Sequence, residues 1–149
     1  MKKFLIVFVI AGFISTISFV NCKAKEVEKP KGQTEMEQGK KLAVVWTSGD
    51  KEVAEKMVFM YTFNAKKFNW WDEINFIIWG PSSKLLSQDK DLQEYIAKMK
   101  EVGIKVYACK ACADMYGVSA DLEKIGAEVK YMGKPLTEYL QSDYKVITF

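Results

Sequence analysis

Cys109 and Cys112, three positions apart in the stretch YACKACADMYGV (residues 107–118), are the side chains of this sequence best suited to covalent chemistry. A CxxC pair can exchange between dithiol and disulfide, supply half of a metal site, or present one activated thiol beside an inert neighbour. The rest of the composition narrows what can assist them. The chain has no His, and all 22 of its basic residues are Lys. Without imidazole there is no Cys–His or Ser–His dyad and no His metal ligand. Without Arg there is no bidentate fork for phosphate or carboxylate. A structural zinc site needs about four ligands, and one CxxC with no second pair would have to share the ion between subunits. No resident metal or cofactor is expected at the pair.

The elements that must position these thiols begin near Lys41. Five short runs of β-branched and aromatic residues read as strands, at 42–47, 74–80, 104–109, 128–133 and 144–149. Between them, helical periodicity covers 50–68, 89–103, 113–126 and 135–142. Asp50 is placed to cap the first helix, Gly103 and Gly126 to close helices, and Pro135 to occupy a first turn. Repeated strand–helix units predict a parallel sheet with helices on both faces. In such sheets chemistry gathers in the strand-to-helix turns, here TSGD (47–50), GPSSK (80–84), CKAC (109–112) and MGKP (132–135). Only CKAC holds a strong nucleophile. GPSSK lacks the spaced glycines and the GKS/T ending of a phosphate loop and reads as a capping turn, as does TSGD.

Cys109 ends a predicted strand and Cys112 falls in the first turn of the next helix. Backbone N–H groups, the helix dipole and Lys110 would favour a thiolate there, and Asp114 would oppose it. Trp46, Trp79, Tyr107 and Tyr131 lie on predicted strands and are expected in the core, with Trp46 and Trp79 near enough to strand ends to wall the thiols. At 149 residues and 49% hydrophobic, the chain can build a core without disulfides. Net charge is +3, and two of those charges are Lys2 and Lys3. The remaining lysines are interspersed with acids, so no footprint for nucleic acid is expected.

Residues 1–22 have the form of an export signal, with two lysines before the apolar run FLIVFVIAGFISTISFV at 4–20. At about 1.5 Å per residue this run falls short of a bilayer core. It ends in FVNC, where Cys22 resembles the lipidated cysteine of a bacterial lipoprotein signal, with Asn21 at a position where a small residue is usual. Cleavage after Ala24 and an uncleaved anchor are the alternatives. Residues 23–40, rich in Lys, Glu, Gln and Gly, read as a disordered tether, and 41–149 as the folded domain. The expected location is exported, periplasmic or on the outer surface, held at a membrane.

YACKACADMYGV, followed by LEKIGAEVKYMGKPLTEYL and a terminal YKVITF, resembles the DsrE/DsrF-like sulfur-relay family over residues 41–149. In that family a third strand ends in cysteine, and the Ala-rich turn and helix that follow are closed by a Gly eight residues later. Cys109 to Gly117 repeats that spacing. The resemblance implies an α/β fold, a three-layer flavodoxin-like sandwich with a five-stranded, mainly parallel sheet, assembled as a homo-oligomer. It also matches Cys109 to the cysteine that accepts sulfane sulfur as a persulfide. Cys112 lies outside the minimal pattern and would let that persulfide resolve as a Cys109–Cys112 disulfide. The implied role is a sulfur carrier of the sulfurtransferase type, whose partners are sulfur donors and thiol acceptors, either proteins or small sulfur compounds. Relay members work in the cytoplasm, and the export signal departs from them. Two other functions stay open, a dithiol/disulfide oxidoreductase using both cysteines and a non-catalytic module that binds partners or holds Cu(I) on the two thiols.

Overall fold

Five apolar runs become strands, β1 (Lys41–Trp46), β2 (Glu73–Ile78), β3 (Lys105–Cys109), β4 (Glu128–Lys130) and β5 (Lys145–Thr148). The computed structural model describes residues 39–149, so the export signal, Cys22 and the tether up to residue 38 lie outside the described residues. All neighbouring strands run parallel, in the order β4-β3-β2-β1-β5. The register sets Trp46 beside Ile78, Ile78 beside Ala108 and Cys109 beside Lys130.

This strand order decides which face each helix covers. Right-handed crossovers from β1 to β2, β3 and β4 all step in one direction across the sheet, and the return from β4 to β5 steps back. The first face therefore receives α1, formed by Lys51–Val53, a π-helical middle Ala54–Phe59 and Met60–Lys67. It also receives α2 (Pro81–Gln88), α3 (Lys90–Glu101), α4 (Lys110–Tyr116) and α5 (Ser119–Ile125). Among the described residues only α6 (Gly133–Gln141) covers the other face. The sandwich has three layers as expected, but they are unequal.

The main core lies on the five-helix face. Leu42, Val44, Trp46, Ile74, Phe76, Ile78, Val106 and Ala108 point from the strands into Phe59, Leu86, Ile96, Met99 and Leu122 of the helices. At its centre Phe76 meets Phe59 edge-on at 5.6 Å and stacks on Trp46 at 6.1 Å. The α6 face is smaller and holds Ala43, Val45, Ile77, Cys109 and Met132, with Leu136 and Tyr139 of α6 packed on them.

Asp50 caps α1 by accepting the Val53 N–H at 3.0 Å, and Asp89 caps α3 by accepting that of Leu92 at 3.1 Å. Pro135 sits in the first turn of α6, as its fixed φ favours. Three local features differ from the sequence reading. The 113–126 periodicity breaks into α4 and α5 at Gly117, and α4 begins three residues earlier, at Lys110. GPSSK is not only a turn but opens α2, whose single buried stripe of Ser82, Ser83 and Leu86 is too polar to show as an apolar period. The first helix contains π turns, and there the consecutive residues Val58 and Phe59 are both fully buried. Among the described residues no helix is long and apolar enough to cross a membrane.

Candidate active site

Alternation along β3 sends Ala108 to the five-helix core and Tyr107 and Cys109 to the α6 face. Cys109 is 3% exposed and packs among Ala43, Val45, Ile77 and Met132. Its backbone is still extended, and α4 starts at the next residue. One turn on, Cys112 is half-buried against the same cluster, beside Trp79 and Tyr107. The structure thus brings both predicted cysteines together on one face of the sheet, as free thiols. Gly117 stops α4 after seven residues with φ +70, and its N–H bonds the Asp114 carbonyl at 3.0 Å. A left-handed residue there is what a glycine accommodates without strain.

Burial decides the protonation of Cys112. It pushes the thiol above its ordinary value, and the adjacent Cys109 acts in the same direction, while the Gly80 N–H bonded to the sulfur opposes them. Cys112 is therefore a neutral thiol near pH 7. The expected help from Lys110 is absent. Its ammonium is held by both oxygens of Asp114, at 2.8 and 3.0 Å, and Asp114 also accepts the Ser119 hydroxyl at 2.6 Å. That pairing holds the Asp114 carboxyl below the usual carboxylate range and the Lys110 ammonium above its own. A seven-residue helix supplies little dipole, so desolvation wins at Cys112.

The thiolate is the reactive form, and below a thiol's pKa its fraction rises tenfold per pH unit. In a Cys109→Ser variant, alkylation of Cys112 is expected to accelerate by about tenfold per pH unit from neutrality, with no plateau below about pH 9. A plateau near pH 7, measured by timed iodoacetamide labelling, would show that the backbone donors outweigh burial.

The neighbouring turns build the rim. Ser82 is fully buried, donates to the Trp46 carbonyl at 2.6 Å and accepts the Trp79 N–H at 3.1 Å, so it ties the ends of β1 and β2 together. This is not the helix cap expected of GPSSK, since the N-cap of α2 is Gly80 and makes no side-chain cap bond. Gly80 has φ +72 and ψ −135, a conformation open essentially to glycine alone, and this aims its N–H at Cys112. A Cβ there would meet nothing within 4 Å, so the requirement is conformational rather than steric. Gly80→Ala is expected to cost about 1–3 kcal/mol in a urea melt and to raise the Cys112 pKa further. An unchanged midpoint would mean the turn relaxes freely.

Of the two tryptophans near strand ends, Trp79 packs beside the thiols, whereas Trp46 is fully buried in the opposite core. Tyr107 is half-buried beneath Lys130, whose ammonium lies 4.1 Å from the ring centroid. Tyr131, expected in the core, is 67% exposed because β4 ends one residue earlier. Sequence reasoning missed two members of the site. Met132 gave no signal beyond its place in a strand-to-helix turn, and Gly80 acts through a backbone amide that no side-chain motif reports. Among the described residues, no third Cys, Asp or Glu groups with the thiols as a metal cluster would require.

Comparison with known proteins agrees with this architecture. The profile of the DsrE/DsrF-like family matches residues 40–149. The solved structure of BT1422, a conserved protein of unknown function from Bacteroides thetaiotaomicron, superposes with a TM-score of 0.71 at 39% identity, covering 73% of this chain and 94% of that one. The ychN protein from E. coli shares the fold at a TM-score of 0.53 and 16% identity, over 74% of this chain and 99% of its own. None of the curated proteins compared with it matches the chain. A five-stranded parallel sheet with a cysteine closing its third strand, and a family match that spans the whole folded region, lead to one assignment: the chain belongs to the DsrE/DsrF-like family of sulfur-relay proteins.

Proposed function

We propose that the protein carries sulfane sulfur as a persulfide on Cys109. The observation that supports this most directly is the placement of Cys109 at the end of β3 with Cys112 on the same face, both as free thiols. Burial holds Cys112 protonated, so it competes poorly as a nucleophile, and Cys109 is the proposed sulfur acceptor. In the forward step the Cys109 thiolate attacks the outer sulfur of a donor persulfide R–S–SH. A new S–S bond forms, the donor S–S bond breaks, and R–S⁻ leaves with the electron pair, giving Cys109–S–SH. An acceptor thiolate then attacks the outer sulfur and regenerates Cys109–S⁻. If Cys112 instead loses its proton and attacks the inner sulfur, a Cys109–Cys112 disulfide forms and hydrosulfide departs. The raised Cys112 pKa slows that discharge, and burial of Cys109 keeps small reductants from its cargo.

In the same proposal the domain is exported and held at a membrane through its N-terminal segment, with Cys22 as lipid acceptor, and assembles as a homo-oligomer. Exposed Leu140 on α6, the helix that covers the smaller face, supports a contact between copies. The test is intact-mass measurement after exposure to polysulfide. Retention of one sulfur atom, dependent on Cys109 and surviving loss of Cys112, is the expected result. A second reading, dithiol/disulfide oxidoreductase, is favoured by the same placement of both free thiols on one face. It predicts formation of the internal disulfide with no sulfur retained in any variant.

A further inference from the structure

The end of the sheet remote from the thiols carries a second feature. Between α1 and β2 the chain turns through Asn69, at φ +56 a non-glycine residue in the left-handed region. The turn is fixed by three backbone bonds, Phe68 N–H to the Asn64 carbonyl, Asn69 N–H to that of Lys66 and Trp70 N–H to that of Ala65, at 2.9, 3.1 and 2.9 Å. It holds Phe68 and Trp70 stacked at 5.9 Å, yet 57% and 52% exposed. Two large aromatics kept in water on a rigid turn are costly unless something covers them. Lysines surround them. The Lys67 ammonium lies 5.9 Å from the Phe68 ring, Lys66 donates to the Asp72 carbonyl, and Lys40, Lys41 and Lys145 line a groove of about 320 Å³ with Trp70 and Trp71.

The acids at this end are already engaged. Asp143 pairs with Lys41 at 3.0 Å, Glu73 with Lys105 at 2.7 Å, and Asp72 accepts the Lys40 backbone N–H at 2.6 Å. Among the described residues Lys40, Lys66, Lys67 and Lys145 form no ion pair, so the patch is positive as well as aromatic. It is also where the chain enters the domain, at Gly39 and Lys40. Fewer than twenty residues upstream the sequence ends its apolar run at Val20. Aromatic rings flanked by lysines match the interfacial zone of an anionic bilayer, the rings at headgroup depth and the ammonium groups on phosphates.

We propose that the Phe68–Trp70 turn with Lys40, Lys66, Lys67 and Lys145 docks the domain on an anionic lipid surface. Strands about 20 Å long separate this end from Cys109, so docking here points the thiols away from the bilayer. This inference does not depend on the persulfide reading.

The test uses the domain Gly39–Phe149. Its cores are built from residues 42–149, and 94% of the solved Bacteroides chain matches 73% of this one. Co-sedimentation with equimolar phosphatidylglycerol–phosphatidylcholine vesicles is expected to show about tenfold tighter binding than with phosphatidylcholine alone, weakening as salt rises. The double variants Phe68→Ser/Trp70→Ser and Lys66→Glu/Lys67→Glu should each lose about tenfold or more. Should the first fail to fold by circular dichroism, the lysine pair decides alone. Equal binding to both vesicle types, or binding indifferent to these substitutions, overturns the proposal. So does self-association through the patch without vesicle binding, which would assign it to a contact between copies.

Discussion

Cys109→Ser is expected to bring sulfur retention to zero, whereas Cys112→Ser is expected to keep it and to lengthen the life of the bound sulfur. The asymmetry follows from the roles proposed for the two thiols. Cys109 is the group from which exchange starts, and serine cannot form the S–S bond on which the chemistry rests. Cys112 has a thiol pushed up by burial, so it contributes little thiolate at neutral pH. Its removal takes away the internal route by which the persulfide is discharged as hydrosulfide. Intact mass of wild type and both variants, followed over time after polysulfide exposure, reads both effects. Retention in Cys109→Ser that vanishes in Cys112→Ser would reverse the assignment. Equal loss in both would mean a dithiol mechanism, in which neither sulfur holds cargo alone.

The largest stability loss is expected from Phe76→Ala. Phe76 lies on β2, at the middle of the sheet, is fully buried and touches both Phe59 and Trp46. Truncation removes the transfer free energy of the ring and leaves a cavity among rigid strand residues that cannot collapse into it. The expected cost is about 3–5 kcal/mol, a large share of the roughly 5–15 kcal/mol available to a domain of this size. Urea melts should show the midpoint falling with an unchanged slope, and a Tm lower by on the order of 15 °C. Tyr131→Ala, at an exposed position, is the comparison and should shift stability by no more than about 0.5 kcal/mol. A loss below about 1 kcal/mol at Phe76 would show that Phe59 and Trp46 close over the gap.

Acid should weaken the starts of β2 and β3 before the core. The Lys105 ammonium, bonded to Glu73 at 2.7 Å, holds the Glu73 carboxyl below its usual range. A depressed carboxylate pKa contributes stability above the unfolded value and loses it as pH falls through the folded one. Because the pair is partly exposed, this contribution is small.

By itself the sequence determined the chemistry available and the framework that carries it. A chain without His or Arg leaves thiol exchange as its strongest covalent option, and Cys109 is placed at a strand's end by a run of β-branched and aromatic residues that could hardly be read otherwise. Five such runs separated by helical periods fixed a parallel sheet, since parallel strands need long crossovers. Caps such as Asp50 were legible because a carboxylate before a helix satisfies N–H groups that would otherwise be orphaned. What only the tertiary structure decided depends on contacts between residues far apart in the chain. Among the described residues the strand order sends five helices to one face and one to the other, and the alternation along β3 leaves both cysteines on the thinly covered side. Burial against Ile77, Trp79 and Met132, together with an amide from Gly80 in a neighbouring turn, sets the state of Cys112. Asp114, four residues on, withdraws Lys110 from the thiols. At Cys112 local sequence predicts activation from dipole and charge, and the fold overrules it because desolvation is a property of the packed neighbourhood.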